Sequence, residues 1–251
     1  MSNAGAYATS LMAQHGIAAE RLAWNAAEAQ AFQRAATLDA HAYWYSGLVS
    51  LGEACQGVQK SRYTWATVKA YYATFYLSRA FLGFAGVCVE YLHSGSKTRH
   101  YVWRSTAGSG PTRLSGNTHD AVLRYVDANG SIPRLTGQTI ASDAVGEWLI
   151  AQRNRANYGE ARFSDPSPTP CMSYISTIDK RRLLQAYIED NALLFTFDPA
   201  HAILAYPVTV ARLLSTTERS EFSDDDVRHL NGLYRDSVGP LAFSHSLFVP
   251  V

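Results

Sequence analysis

Long apolar runs, paired cysteines and charge of either sign are all scarce in this 251-residue chain, and each scarcity removes a class of function. The most apolar stretch, 80–89, is too short to span a bilayer, so no membrane association is expected. The first two dozen residues lack a basic segment followed by a long apolar core, which argues against a secretory signal. The three cysteines, Cys55, Cys88 and Cys171, are odd in number, widely spaced and form no CxxC pair. That spacing disfavours a structural zinc site and fits the reduced thiols of a cytoplasmic protein. Charged residues make up only 17% of the chain and nearly cancel, leaving +1. That balance argues against a protein gripping many phosphates as a polyelectrolyte but not against a local basic patch, because the distribution of charge decides that.

Recognisable cofactor and metal motifs are also missing. Eight histidines include neither an HxxxH pair nor HExxH, and His93 and His100, flanking a predicted hairpin, make too small a set to hold a metal. No GxxxxGK[ST] phosphate cradle and no GxSxG nucleophile elbow occur. No metal and no cofactor are expected.

What the chain has is an ordinary hydrophobic content of 47%, many aromatics (15 Tyr, 5 Trp) and helical periodicity. The patterning predicts helices over 18–38, over 40–56 with Asp39 as cap, and from 64 to the glycines at 83 and 86 as the central helix. A β-hairpin is expected within 91–104 around Ser94-Gly95-Ser96, followed by a loop over 106–118 and a short helix over 119–127. A helix over 143–158 is predicted between a Ser142 cap and a C-terminal Gly159. The prolines of 164–171 forbid helix and mark the one internal boundary. Three helices are expected beyond it. The first covers 179–194. The second covers 199–215, capped by Asp198 and kinked or split at Pro207. The third covers 224–235, with Ser223 and Asp226 as its capping box. The expected fold class is all-α, an up-and-down helical bundle with a small β-hairpin insertion. Residues 1–165 form the bundle, and 166–251 add C-terminal helices on the same core.

Two segments group chemically useful side chains. In the central helix Lys69, Tyr72, Tyr76 and Arg79 step by three, four and three, so they share one face. The plain reading is a helix edge whose tyrosine rings pack while hydroxyls and cationic heads reach water. In "RNRANYG", 153–159, Arg153, Asn154, Arg155 and Tyr158 crowd one helix end. There the plain reading is a solvated terminus, with cations meeting the negative pole of the helix. Basic residues Lys97, Arg99, Arg104 and Arg113 interleave with Tyr101 and Trp103 near the hairpin. That pattern suits a platform for single-stranded nucleic acid, and an exposed hairpin has it too.

"WATVKAYYATFYLSRAFLG" resembles the signature helix of HEPN (higher eukaryotes and prokaryotes nucleotide-binding) domains, which reads Tyr-Tyr-Ala, an aromatic, then Arg-Ala. Here those are Tyr71, Tyr72, Ala73, Phe75, Arg79 and Ala80. "RNRANYG" is similar to the family's second element, Arg153 and Asn154 matching its ribonuclease branch and Ala156, Tyr158 and Gly159 the other. The resemblance covers 40–165 and implies a helical bundle, commonly a homodimer, whose ribonuclease members cut RNA without metal through paired Arg and His. It departs from the pattern at one place: Tyr158 stands where that His belongs.

On this reading Arg153, Asn154 and Tyr158 are the catalytic candidates, and Lys69, Tyr72, Tyr76, Arg79 and Arg155 bind substrate. Arg153 would stabilise the phosphorane. Asn154 would position a phosphate oxygen or orient Arg153. Tyr158, a poor base near neutrality, would donate a proton or stack on a base. A metal-independent endoribonuclease of toxin or phage-defence type is one expectation, with an antitoxin or nucleotidyltransferase as partner. A non-catalytic HEPN-like module binding a nucleotide, nucleic acid or partner protein is the alternative, and an unrelated helical protein is the third.

Overall fold

The computed structural model describes residues 2–94, 97–116, 118–159 and 161–248. Its first helix, α1 (Asn3–His15), is followed by α2 (Ala26–Gln59), a single 34-residue helix where two were expected. Helix α2 starts late because Asn25 and Glu28 close a capping box there. Asp39, expected as a cap between two helices, is buried in the middle of α2. It caps a different helix: its carboxylate accepts from the backbone N–H groups of Asn3 and Ala4, each at 2.8 Å, satisfying the free donors at the start of α1.

After Lys60–Arg62 the chain returns as α3 (Tyr63–Phe84). Gly57 approaches Ala66, Gly47 approaches Leu77, and Gly83 approaches Ala36 and Ala40, so the two helices run antiparallel. At Gly83 a β-carbon would stand 2.9 Å from the Ala36 carbonyl oxygen and 3.0 Å from the Ala40 β-carbon. Both obstacles belong to a long rigid helix and cannot swing aside. Gly83→Ala is therefore expected to lose stability. Overpacking costs about 1–3 kcal/mol, and the gain in helix propensity offsets at most about 1 kcal/mol. Urea denaturation reads the difference, and a variant as stable as the parent would mean that α2 and α3 pack less closely.

Strands β1 (Val87–Ser94), β2 (Lys97–Arg104) and β3 (Thr112–Leu114) form an antiparallel sheet in the order β1-β2-β3. The expected hairpin is present and longer, and the loop after it contains β3. Residues 95 and 96 of the predicted turn lie outside the described residues. Alternation splits β2 between two cores. Tyr101 and Trp103 join α1, Trp24 and Phe32 in one buried cluster, while Val102 and Val89 face the main one. His100 pairs with Tyr91, not with His93, whose side chain also lies outside the described residues.

Helix α4 (Thr118–Asn129) leads through the short strands β4 (Thr139–Ile140) and β5 (Asp143–Ala144) into α5 (Val145–Tyr158). Ser142 does not cap α5. It sits three residues before Val145 with a φ of 73°, in the turn between β4 and β5. Gly159 closes α5 in right-handed geometry, not in the left-handed conformation a glycine cap usually supplies.

Beyond the prolines come α6 (Lys180–Glu189), α7 (Ala202–Thr217) and α8 (Asp224–Leu233). Helix α7 begins later than predicted because Asp198 accepts from Ala200 N–H in a turn that precedes the helix. The helix then continues through Pro207 without splitting. Ala202–Ala211 of α7 are buried throughout and pack on α3 within the same core cluster. The Ser223–Asp226 capping box of α8 is formed. The fold is thus all-α apart from the small sheets, and no helix among the described residues is long and apolar enough to cross a membrane.

Candidate functional site

Helix α3 touches α2, α4, α5, α7 and β1, which explains its unusual burial. From Ala66 to Ala80 every residue is buried except Lys69, Tyr72, Tyr76 and Arg79. The stripe read from three- and four-residue spacing is therefore the one partly open face of the central helix. Its members serve different ends. Lys69 pairs with Glu53 of α2, both partly exposed. Arg79 donates to Glu90 at 2.8 Å and to the Val89 carbonyl, and its guanidinium lies 4.1 Å above the Tyr43 ring. That buried ion pair fastens β1 to α3, so Arg79 is committed to structure. Tyr72 and Tyr76 stack on one another with ring centroids 6.1 Å apart.

Helix α5 is pinned through Val145, Trp148, Leu149 and Gln152, all buried. That seam delivers Arg153 onto α3. Its guanidinium lies 4.9 Å above the Tyr71 ring, a cation–π contact. Its Nε and Nη2 both donate to Asn154 Oδ1, at 3.2 and 2.7 Å, so Asn154 orients Arg153.

An imidazole approaches the same face from α4. His119, in the first turn of that helix, packs its ring 4.5 Å from Phe75, 5.4 Å from Tyr72 and 5.9 Å from Tyr71. Tyr71 thus carries Arg153 and His119 together. Burial lowers the His119 pKa; Arg153 lowers it further, Asp120 pulls it up, and Arg79 again lowers it. The imidazole is consequently neutral at neutral pH and able to take a proton. Its Nδ1 is enclosed and, among the described residues, unpartnered, which leaves Nε2 as the nitrogen for a ligand. The Tyr71 hydroxyl is likewise buried without a partner among the described residues. Burial raises the Tyr71 pKa and Arg153 partly counters it, so the phenol stays neutral.

The remaining predicted residues lie elsewhere. Tyr158 is 78% exposed, and within the described residues it meets neither Arg153 nor His119. Arg155 points to the other side of α5, where Nη1 donates to Gln152 Oε1 at 3.5 Å. The hairpin is not an aromatic platform, because Tyr101 and Trp103 are 1% and 0% exposed. Arg99 there pairs with Glu20, and Arg104 donates to the Tyr125 hydroxyl.

Sequence spacing does not reveal the proximity of His119 to Arg153. The histidine stands alone in the chain, 34 positions before Arg153, and only the packing of α4 and α5 on α3 unites the two. No protein-family model, no curated protein and no solved structure matches the chain.

Proposed function

We propose that this protein is a HEPN-like, metal-independent endoribonuclease in which Arg153 and His119 act on one phosphodiester. The observation that carries this reading is the shared contact of the guanidinium and a neutral imidazole with Tyr71. RNA supplies its own nucleophile. His119 accepts the proton of a ribose 2′-OH as that oxygen bonds to phosphorus, and Arg153 stabilises the charged phosphorane. The bond to the 5′ oxygen then breaks, leaving a 2′,3′-cyclic phosphate and a 5′-hydroxyl.

The leaving oxygen needs a proton. A homodimer with Arg153 near its dyad duplicates both groups over one phosphate, and the imidazolium formed when His119 takes the 2′-OH proton returns a proton to the leaving oxygen. As the resemblance implies, such an enzyme is a cytoplasmic toxin or phage-defence nuclease, held in check by an antitoxin or nucleotidyltransferase. The non-catalytic binding module remains the second reading, favoured by one observation: the position of the family's motif histidine holds Tyr158, open to solvent.

Incubating the purified protein with mixed single-stranded RNAs in excess EDTA tests the enzyme reading. Cleavage to cyclic-phosphate ends is expected. A folded, dimeric protein inert toward every RNA would leave the binding module as the better account. Tyr158→Phe should change the rate by no more than a few-fold, since the ring is open to solvent. A loss as large as that of an active-site donor would instead make Tyr158 the proton donor.

A further inference from the structure

A second site lies on the other side of α5. Arg153 and Arg155 are two residues apart, about 200° around the helix, so they face different surfaces. Arg155 borders a cavity of about 230 Å³ between the end of α5, the start of α3 and the proline loop. Arg162 also borders it, and neither arginine forms an ion pair among the described residues.

The wall between them contains one unsatisfied polar group. Thr64, in the first turn of the 22-residue helix α3, is 1% exposed, and its hydroxyl has no partner among the described residues. A buried hydroxyl without a partner costs free energy unless something fills the role. The start of α3 adds the positive end of a helix dipole. Among the described residues one carboxylate, Asp165, accepts from Thr64 N–H at 3.1 Å, against the two arginines. At the rim Phe163 is 47% exposed and meets Trp65, 49% exposed, edge to face at 5.8 Å. The volume falls just below the roughly 300–1,000 Å³ of drug-sized pockets, which suits a small anion.

We propose that this cavity binds a nucleotide phosphate, with Arg155 and Arg162 as the clamp, the Thr64 hydroxyl as a further donor, and the exposed Phe163 ring as a platform for the base. Guanidinium forks match phosphate geometry, and an aromatic face accepts any base. The source is either a free nucleotide or one unit of a single-stranded chain. The inference does not depend on cleavage at Arg153 and His119.

Titration calorimetry of the full chain with AMP, inorganic phosphate and a 2′-O-methyl decaadenylate, which cannot be cut, tests it. AMP should bind roughly fivefold or more tightly than phosphate because of the stacked base. The double variant Arg155→Ala/Arg162→Ala should weaken AMP roughly tenfold or more, and Thr64→Val a few-fold. Arg153→Ala should leave AMP binding within about twofold, since it faces the other side of α5. A decamer binding more tightly than AMP through the same arginines assigns the site to an RNA path; one binding no better assigns it to a free nucleotide. No binding of any of the three at millimolar concentration would overturn the proposal. So would binding that survives loss of both arginines, or that Arg153→Ala removes.

Discussion

Arg153→Ala should reduce single-turnover RNA cleavage by about 10²- to 10³-fold, the usual cost of losing one preorganised donor at a developing charge. Arg153 is held for that task from two sides, by the Tyr71 ring beneath it and by the Asn154 carbonyl beside it. Neither contact anchors the core, so the variant should melt close to the parent. Arg153→Lys keeps the charge and loses both the planar fork and its stacking on Tyr71, and should recover only part of the rate. A variant that cleaves as fast as the parent would remove the phosphorane role.

His119→Gln should cost about 10²- to 10⁴-fold, the range for a positioned acid–base group. The pH profile separates this role from a packing role. Because burial and Arg153 depress the His119 pKa, the base stays neutral below the ordinary histidine value of about 6.5. The acid limb of kcat/KM should therefore lie below that value and vanish in the variant. The linkage to stability has the same sign. With the folded pKa below the unfolded one, the unfolded chain binds more protons between them, so stability is present above about pH 6.5 and declines as pH falls toward the folded value. His119→Gln should lessen that decline; His201, also depressed by burial, maintains a part of it. An unchanged acid limb in the variant would assign the base to another group.

Local rules in the sequence reach some of these features and not others. The α8 capping box and the stripe on α3 were legible because each depends on residues three or four apart. Asp39 misled for an instructive reason. An acidic residue that satisfies helix N–H groups looks the same in sequence whether the helix is its own or, as here, one that begins 36 residues earlier. Trp103 and Tyr101 looked like stacking surfaces because basic neighbours surround them, but α1, whose docking no periodicity announces, covers that face of the sheet. The site divides along the same line. Arg153 and Asn154 stood out as a cluster in one helix, while His119 joins them only through tertiary packing on Tyr71 and Tyr72. The aromatic–cationic surface at Trp65, Phe163 and Arg162 was hidden too, since its parts come from two segments a hundred residues apart.

The most direct measurement of the central claim is the cleavage rate of the double variant Arg153→Ala/His119→Gln beside its two single variants. Groups that act as a unit on one phosphodiester lose their effect together, so the double variant should be about as slow as the slower single one. Losses that multiply, in a protein that remains folded, would contradict a shared site on Tyr71.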